Sequence, residues 1–229
     1  MKQIQITPEI VQLTRFGLVN CYLVCEDDGL TLIDTMIPGS ARCILQAAHS
    51  LNRIVRRIAL THVHADHVGS LDTLASALIG AEVAVGRRES RLLMRDFHTE
   101  PNEPQATIKG TFPKVRTIPS ILLNDCEMYG SLQVVACSGH TPGHIAFLDT
   151  RSGTLIAGDA LVTVGGLRVS GDASGRFPLI NWATWHKPTA IASARRLLAL
   201  EPKRIAVGHG NPILENATAA LEGAIRHAG

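Results

Sequence analysis

The chain has 229 residues, 45% of them apolar, which is enough for a full core and suits one domain over residues 1–229. Lys and Arg number 22 against 20 Asp and Glu, a net charge of +2 with the cations scattered, so no basic stripe points to nucleic acid. No run approaches the roughly 20 apolar residues of a membrane helix, and Met1–Thr7 has no long apolar segment, so neither a membrane partner nor an export signal is expected. Five cysteines, Cys21, Cys25, Cys43, Cys126 and Cys137, form no Cys-x-x-Cys pair, which fits a reducing, cytoplasmic setting.

In chain order, Ile4–Ile6, Ile10–Leu13, Val19–Cys25 and Leu30–Asp34 read as strands of a meander, with Asp27-Asp28-Gly29 as a hairpin turn. A helix opening near Ser40 carries Ile44, Leu45, Ala48 and Leu51 on one face. The apolar run Ile54–Leu60 is a buried strand, followed by a helix through Val68, Leu71, Leu74, Ala75 and Leu78 to Gly80. Glu82–Val85 is a strand, Arg88–Phe97 a helix, and His98–Pro119 a long proline-broken surface loop. Strands recur at Ile121–Leu123, Leu132–Cys137, Ile145–Asp149 and Thr154–Ala157. A Gly-rich section, Val164–Phe177, then leads to a helix from Trp185 to Leu200, a strand Arg204–Val207 and a last helix through Ala217, Leu221 and Ile225. Two strand-rich halves, each with helices, predict an α/β (α+β) protein: two mixed sheets face to face with helices outside.

Between the Ile54 strand and the next helix lies Thr61-His62-Val63-His64-Ala65-Asp66-His67. His62 and His64 point to one side of an extended turn and reach one ion, while Asp66 and His67 are displaced towards a second. Gly139-His140-Thr141-Pro142-Gly143-His144, Gly158-Asp159 and Gly208-His209-Gly210 repeat the arrangement, each a glycine-flanked turn at the C-terminal end of an apolar strand. His49, His98 and His227 have no such context and read as surface residues; His144 reads as a support for the site. His186, beside Trp185, fits either a pocket wall or a helix start. Cys137 reads as a buried small hydrophobe rather than a ligand or nucleophile.

The pattern His62-x-His64-x-Asp66-His67, then His140, Asp159 and His209, with Asp34 closing the fourth strand, resembles the metallo-β-lactamase superfamily over nearly the whole chain. The resemblance implies a four-layer αββα sandwich with two divalent metals at one edge. His62, His64 and His140 would hold one and Asp66, His67 and His209 the other; Asp159 would bridge them, and Asp34 would orient the ligand loop. Asp66 would be the catalytic residue as well as a ligand, orienting the water and passing a proton to the leaving group. Zinc suits the donor set best, with manganese and iron also admissible because no thiolate selects zinc.

The expected activity is hydrolysis of a carboxylic ester, lactone or thioester in a small molecule by a metal-activated water. Alternatives are a mononuclear-iron persulfide dioxygenase and a β-lactam hydrolase of low promiscuous activity. Val162 stands where quorum-signal lactonases place a tyrosine. One short helix after His209, carrying Arg226, leaves little of the basic C-terminal region that glyoxalase II-type thioesterases use for glutathione. Asp159 differs from the Cys or Ser of the β-lactamases. Phe112, Phe177, Leu179, Ile180 and Trp182 are expected to wall an apolar pocket. The oligomeric state is open, a homodimer being one option.

Overall fold

A computed structural model describes residues 1–172 and 178–229, with the side chains of 178–180 outside the description. The expectations for Phe177, Leu179 and Ile180 therefore lie outside the described residues. Strands β1 (Lys2–Thr7), β2 (Ile10–Arg15), β3 (Val19–Glu26) and β4 (Gly29–Ile33) form the antiparallel meander. Gly29 closes its last hairpin because a Cβ there would lie 2.5 Å from the Ile54 carbonyl oxygen. Three parallel strands follow: β5 (Val55–Leu60), β6 (Glu82–Gly86) and β7 (Ile121–Leu123), giving a seven-stranded sheet in sequence order. The second sheet has five strands, ordered β14 (Arg204–Ala206), β11 (Thr154–Ile156), β10 (Ile145–Asp149), β9 (Leu132–Ala136) and β8 (Met128–Tyr129). A small hairpin pairs β12 (Leu161–Val162) with β13 (Arg168–Val169).

Residues of the central strands, such as β3 and β4, alternate between two apolar environments rather than between oil and water, which is why they read as near-continuous apolar runs. In β3, Tyr22 and Val24 face the core between the sheets, with Phe147, Ile156 and Ala206 opposite, while Cys21 and Leu23 face outward. Helices α1 (Ala41–Ser50) and α3 (Leu71–Ala77) cover that outer face through Ile44, Ala48, Leu71 and Leu74. On the other side, α6 (Lys187–Leu198) and α7 (Ala217–Ala228) bring Ala194, Leu197, Leu221 and Ile225 against Val135, Leu155 and Ile205. The result is the expected αββα sandwich. Among the described residues no helix is long and apolar enough to cross a membrane.

Several boundaries differ from the pattern. The helix expected from Val68 to Gly80 is two pieces, α2 (Ala65–Val68) and α3, because Gly69 packs its backbone against Pro38, and Ser70 donates its hydroxyl to the Ile37 carbonyl at 2.8 Å. The helix α4 (Arg87–Leu93) stops short of Phe97, with Arg95 at φ +66°. A short helix, α5 (Pro178–Ala183), follows the Gly-rich section in sequence, ahead of the expected helix. His186 is the N-cap of α6, where its side chain accepts from the Thr189 backbone N–H.

The topology places the functional turns together. β4 and β5 run parallel, so Asp34 and the Thr61–His67 turn leave the first sheet at one end. β9 and β11 are both antiparallel to β10, and β14 is parallel to β11, so the His140, Asp159 and His209 turns leave the second sheet at one end as well. Asn20 of β3 joins the sheets there, donating to the carbonyls of Val207 at 2.9 Å and Gly210 at 2.7 Å.

Candidate metal centre

All seven expected donors, His62, His64, Asp66, His67, His140, Asp159 and His209, come together at this edge. Three overlapping sets, His62/His64/His140, His62/His67/Asp159 and Asp66/His67/His209, each have donor atoms within 4.8 Å of one another. Asp159 lies between the trios: Oδ1 is 3.3 Å from His67 Nε2, and Oδ2 is 3.5 Å from His140 Nε2 and 3.2 Å from His209 Nε2. Asp66 Oδ2 is 3.1 Å from His209 Nε2.

The outer nitrogen of each of four histidines is held from behind, and this aims the inner one. Asp34 accepts from the Thr61 backbone N–H and hydroxyl, both at 2.8 Å, and from His67 Nδ1–H at 2.8 Å. The Thr61 hydroxyl donates to Asp34, so it accepts from His62 Nδ1–H at 3.1 Å and leaves His62 Nε2 as a bare lone pair. His64 Nε2–H donates to the Lys109 carbonyl at 3.0 Å, which makes Nδ1 its inward atom. His140 Nδ1 is 2.9 Å from Ser170 Oγ, itself 2.7 Å from Thr184 Oγ1. Gly110 follows Lys109 at φ +107°, where any Cβ would collide with the His64 ring. Behind Asp159, His144 Nε2 accepts its backbone N–H at 3.1 Å, so His144 Nδ1–H points to Cys137 Sγ at 3.1 Å. Burial lowers the His144 pKa to about 3 and pushes the Cys137 thiol well up, so this pair is neutral and supporting.

The residues present fit cations. His62 Nε2 is buried without a hydrogen bond, a costly state for a polar atom unless it ligates, and beside it His67 Nε2 and Asp159 Oδ1 have only each other, at 3.3 Å. His64 Nδ1 and His140 Nε2 face each other at 3.0 Å, so both nitrogens point into the space a single ion would fill. Burial should lower the His209 pKa, yet the Asp159 and Asp66 carboxylates lift it to about 9, a measure of how strongly this spot draws positive charge. Burial would raise the Asp66 pKa, but His67 and His209 hold the carboxyl well below the usual range.

Above these donors is a cavity of about 300 Å³, walled by Ile37, Pro38, Ala65, Thr111, Trp182 and Ala183. Trp182 lies 64% exposed at the mouth. Phe112 does not line the cavity; its ring packs on His64 at 4.8 Å and on Phe97 at 5.0 Å. The sequence reading missed Glu89, a carboxylate buried beneath both ligand turns. Burial pushes its pKa up to about 7 despite hydrogen bonds from Thr141, Val63 and Gly143 that lower it. The available signal was spacing: Glu89, Leu92 and Leu93 share the inward face of α4, so an acid stood at a core position.

A two-sheet sandwich with a His/Asp cluster at the strand ends defines a metal-binding enzyme of one superfamily. The family model of the metallo-β-lactamase superfamily matches residues 14–209, and the chain belongs to that superfamily. It is 49% identical over 203 residues to the uncharacterized protein YobT of Bacillus subtilis (strain 168), covering 87% of each chain. It is 28% identical over 160 residues to the hydroxyacylglutathione hydrolase GloC of Haemophilus influenzae, covering 67% of this chain and 71% of that one. Among solved structures, TTHA1623 in a di-iron-bound form superposes with a TM-score of 0.67 at 27% identity, covering 93% of this chain and 95% of that one. The chain is thus a metallohydrolase-superfamily enzyme whose His/Asp cluster suits divalent metals.

Proposed function

We propose that the protein hydrolyses a carboxylic ester, lactone or thioester of a small, partly apolar molecule with two divalent ions bound. The observation that carries this reading is the convergence of seven donors around Asp159, whose two oxygens face different histidines. His62, His64 and His140 would hold one ion and Asp66, His67 and His209 the other, with Asp159 shared; zinc, manganese and iron all match the donors. Such ions would supply a water acidic enough to ionise near neutral pH and polarisation of the carbonyl under attack.

The chain's own groups do the rest. Of the two carboxylates lining the cavity, Asp66 is the more open, its side chain 35% exposed against 5% for Asp159, and it is ionised at neutral pH. It accepts a hydrogen bond from the attacking water and then passes the proton to the leaving oxygen or sulfur as the acyl bond breaks. Asp34 keeps His67 in place beside it. Ile37, Pro38 and Trp182 exclude water from one wall and suit an apolar acyl or ring portion. The name of GloC favours including a glutathione thioester among the substrates tried. The five unpaired cysteines support a cytoplasmic setting.

The test is turnover of an apolar aryl ester, a lactone, a glutathione thioester and a β-lactam by the metal-loaded chain, with Asp66→Asn as the blank. Turnover of one of the first three, lost in the variant, supports the reading. β-Lactam turnover alone, or oxygen consumption with a persulfide, rejects it.

A further inference from the structure

The first turn of α4 holds a carboxylate that the proposed chemistry does not use. Glu89 is 0% exposed. Its Oε1 accepts from the Val63 backbone N–H at 3.0 Å; its Oε2 accepts from the Thr141 hydroxyl at 2.8 Å and the Gly143 backbone N–H at 3.0 Å. Val63 separates His62 from His64, and Thr141 follows His140. One side chain therefore spans two turns that arrive from different sheets, at the ends of β5 and β9. The close approach is built in: a Cβ at Gly143 would collide with the Glu89 backbone. A backbone bond from Ile145 N–H to the Thr61 carbonyl at 3.0 Å lies along the same seam.

We propose that Glu89 is a positioning residue that fixes the His62–His64 pair against His140, so that these three nitrogens are assembled before an ion arrives. The inference rests on the reading of those histidines as an ion site. Asp34 serves a different part, because its bonds to Thr61 and His67 stay within the first sheet's own turn. Holding donors in place beforehand removes ordering cost from binding, and outer partners of ligands are worth about 10–100-fold in metal affinity. Glutamine cannot replace Glu89, since three donors meet its two oxygens and an amide offers one acceptor oxygen.

The experiment titrates the metal-free full chain with Co²⁺ alone, reading affinity and the visible absorption that reports coordination geometry. Glu89→Gln should bind about 10–100-fold more weakly with altered bands. Thr141→Val should lose several-fold, and the double variant should be no weaker than Glu89→Gln, because the two changes act on one contact. Leu221→Ala, a core truncation in α7, should lower the melting temperature yet keep the wild-type affinity and bands. Wild-type affinity and spectrum in Glu89→Gln overturn the proposal; if that variant does not fold, unchanged affinity in Thr141→Val overturns it. A wild-type chain that takes up no Co²⁺, or His140→Ala that binds as wild type, refutes the ion site itself and the inference with it.

Discussion

The floor and the rim of the cavity are built on opposite principles. On the floor, the donors sit in tight turns at strand ends, and partners such as Asp34, Lys109 O and Ser170 lock the outer nitrogens of His67, His64 and His140. The rim is irregular chain: Thr111 belongs to a segment without helix or strand, and Trp182 lies at the end of a six-residue helix with its ring in solvent. Rigid supports suit cation binding and proton handling, where small misplacements are costly. A rim of irregular chain suits the substrate, whose shape varies more readily than the chemistry.

Substitutions should divide along the same line. The largest effect is expected at the floor: Asp66→Asn should lower kcat by about 10²–10⁴-fold with the melting temperature nearly unchanged, because Asp66 is half-exposed and outside the apolar core. A variant of near-normal kcat would remove Asp66 from the mechanism. Gly110→Ala comes next, since the chain there has φ +107° and the new methyl meets His64. It should reduce both metal content and turnover, about tenfold or more in affinity, by the same route as loss of an outer partner. Retained metal with retained turnover would show that the 98–119 segment does not brace the floor. At the rim, Trp182→Ala should raise KM several-fold for an apolar ester while kcat and melting temperature stay put. A fall in melting temperature without a KM change would place Trp182 in packing instead.

The smallest effect is a pH dependence of stability. His144 is held neutral down to about pH 3, whereas an unfolded histidine takes a proton near 6.5. Its folded pKa is depressed, so its contribution is complete above pH 6.5 and is lost as pH falls from 6.5 towards 3. Denaturation of wild type and His144→Gln across that window should show a shallower acid limb in the variant. Parallel limbs would assign the acid sensitivity to other groups.

Much of the floor was legible because a strand end followed by a glycine-flanked turn leaves a local trace: apolar run, then His or Asp, then Gly. The sheets were legible for a related reason, since stretches buried on both faces, such as Cys21–Val24 of β3 and Ile58–Leu60 of β5, are apolar. The supports were not. Lys109 acts through a carbonyl that carries no side-chain signature, and Ser170 and Glu89 reach their partners across 30 and 52 residues of chain. Gly110 carries no local sequence sign of its approach to His64. The break between α2 and α3 depended on Pro38, which is distant in sequence from Gly69.

As proposed, these seven side chains hold two catalytic ions. Elemental analysis of the purified chain, before and after chelation and after adding zinc or manganese back, with ester, lactone and thioester turnover followed in parallel, tests it most directly. Close to two ions per chain are expected, with activity lost on chelation and restored with metal. One iron per chain at full activity, or turnover indifferent to chelation, would contradict it.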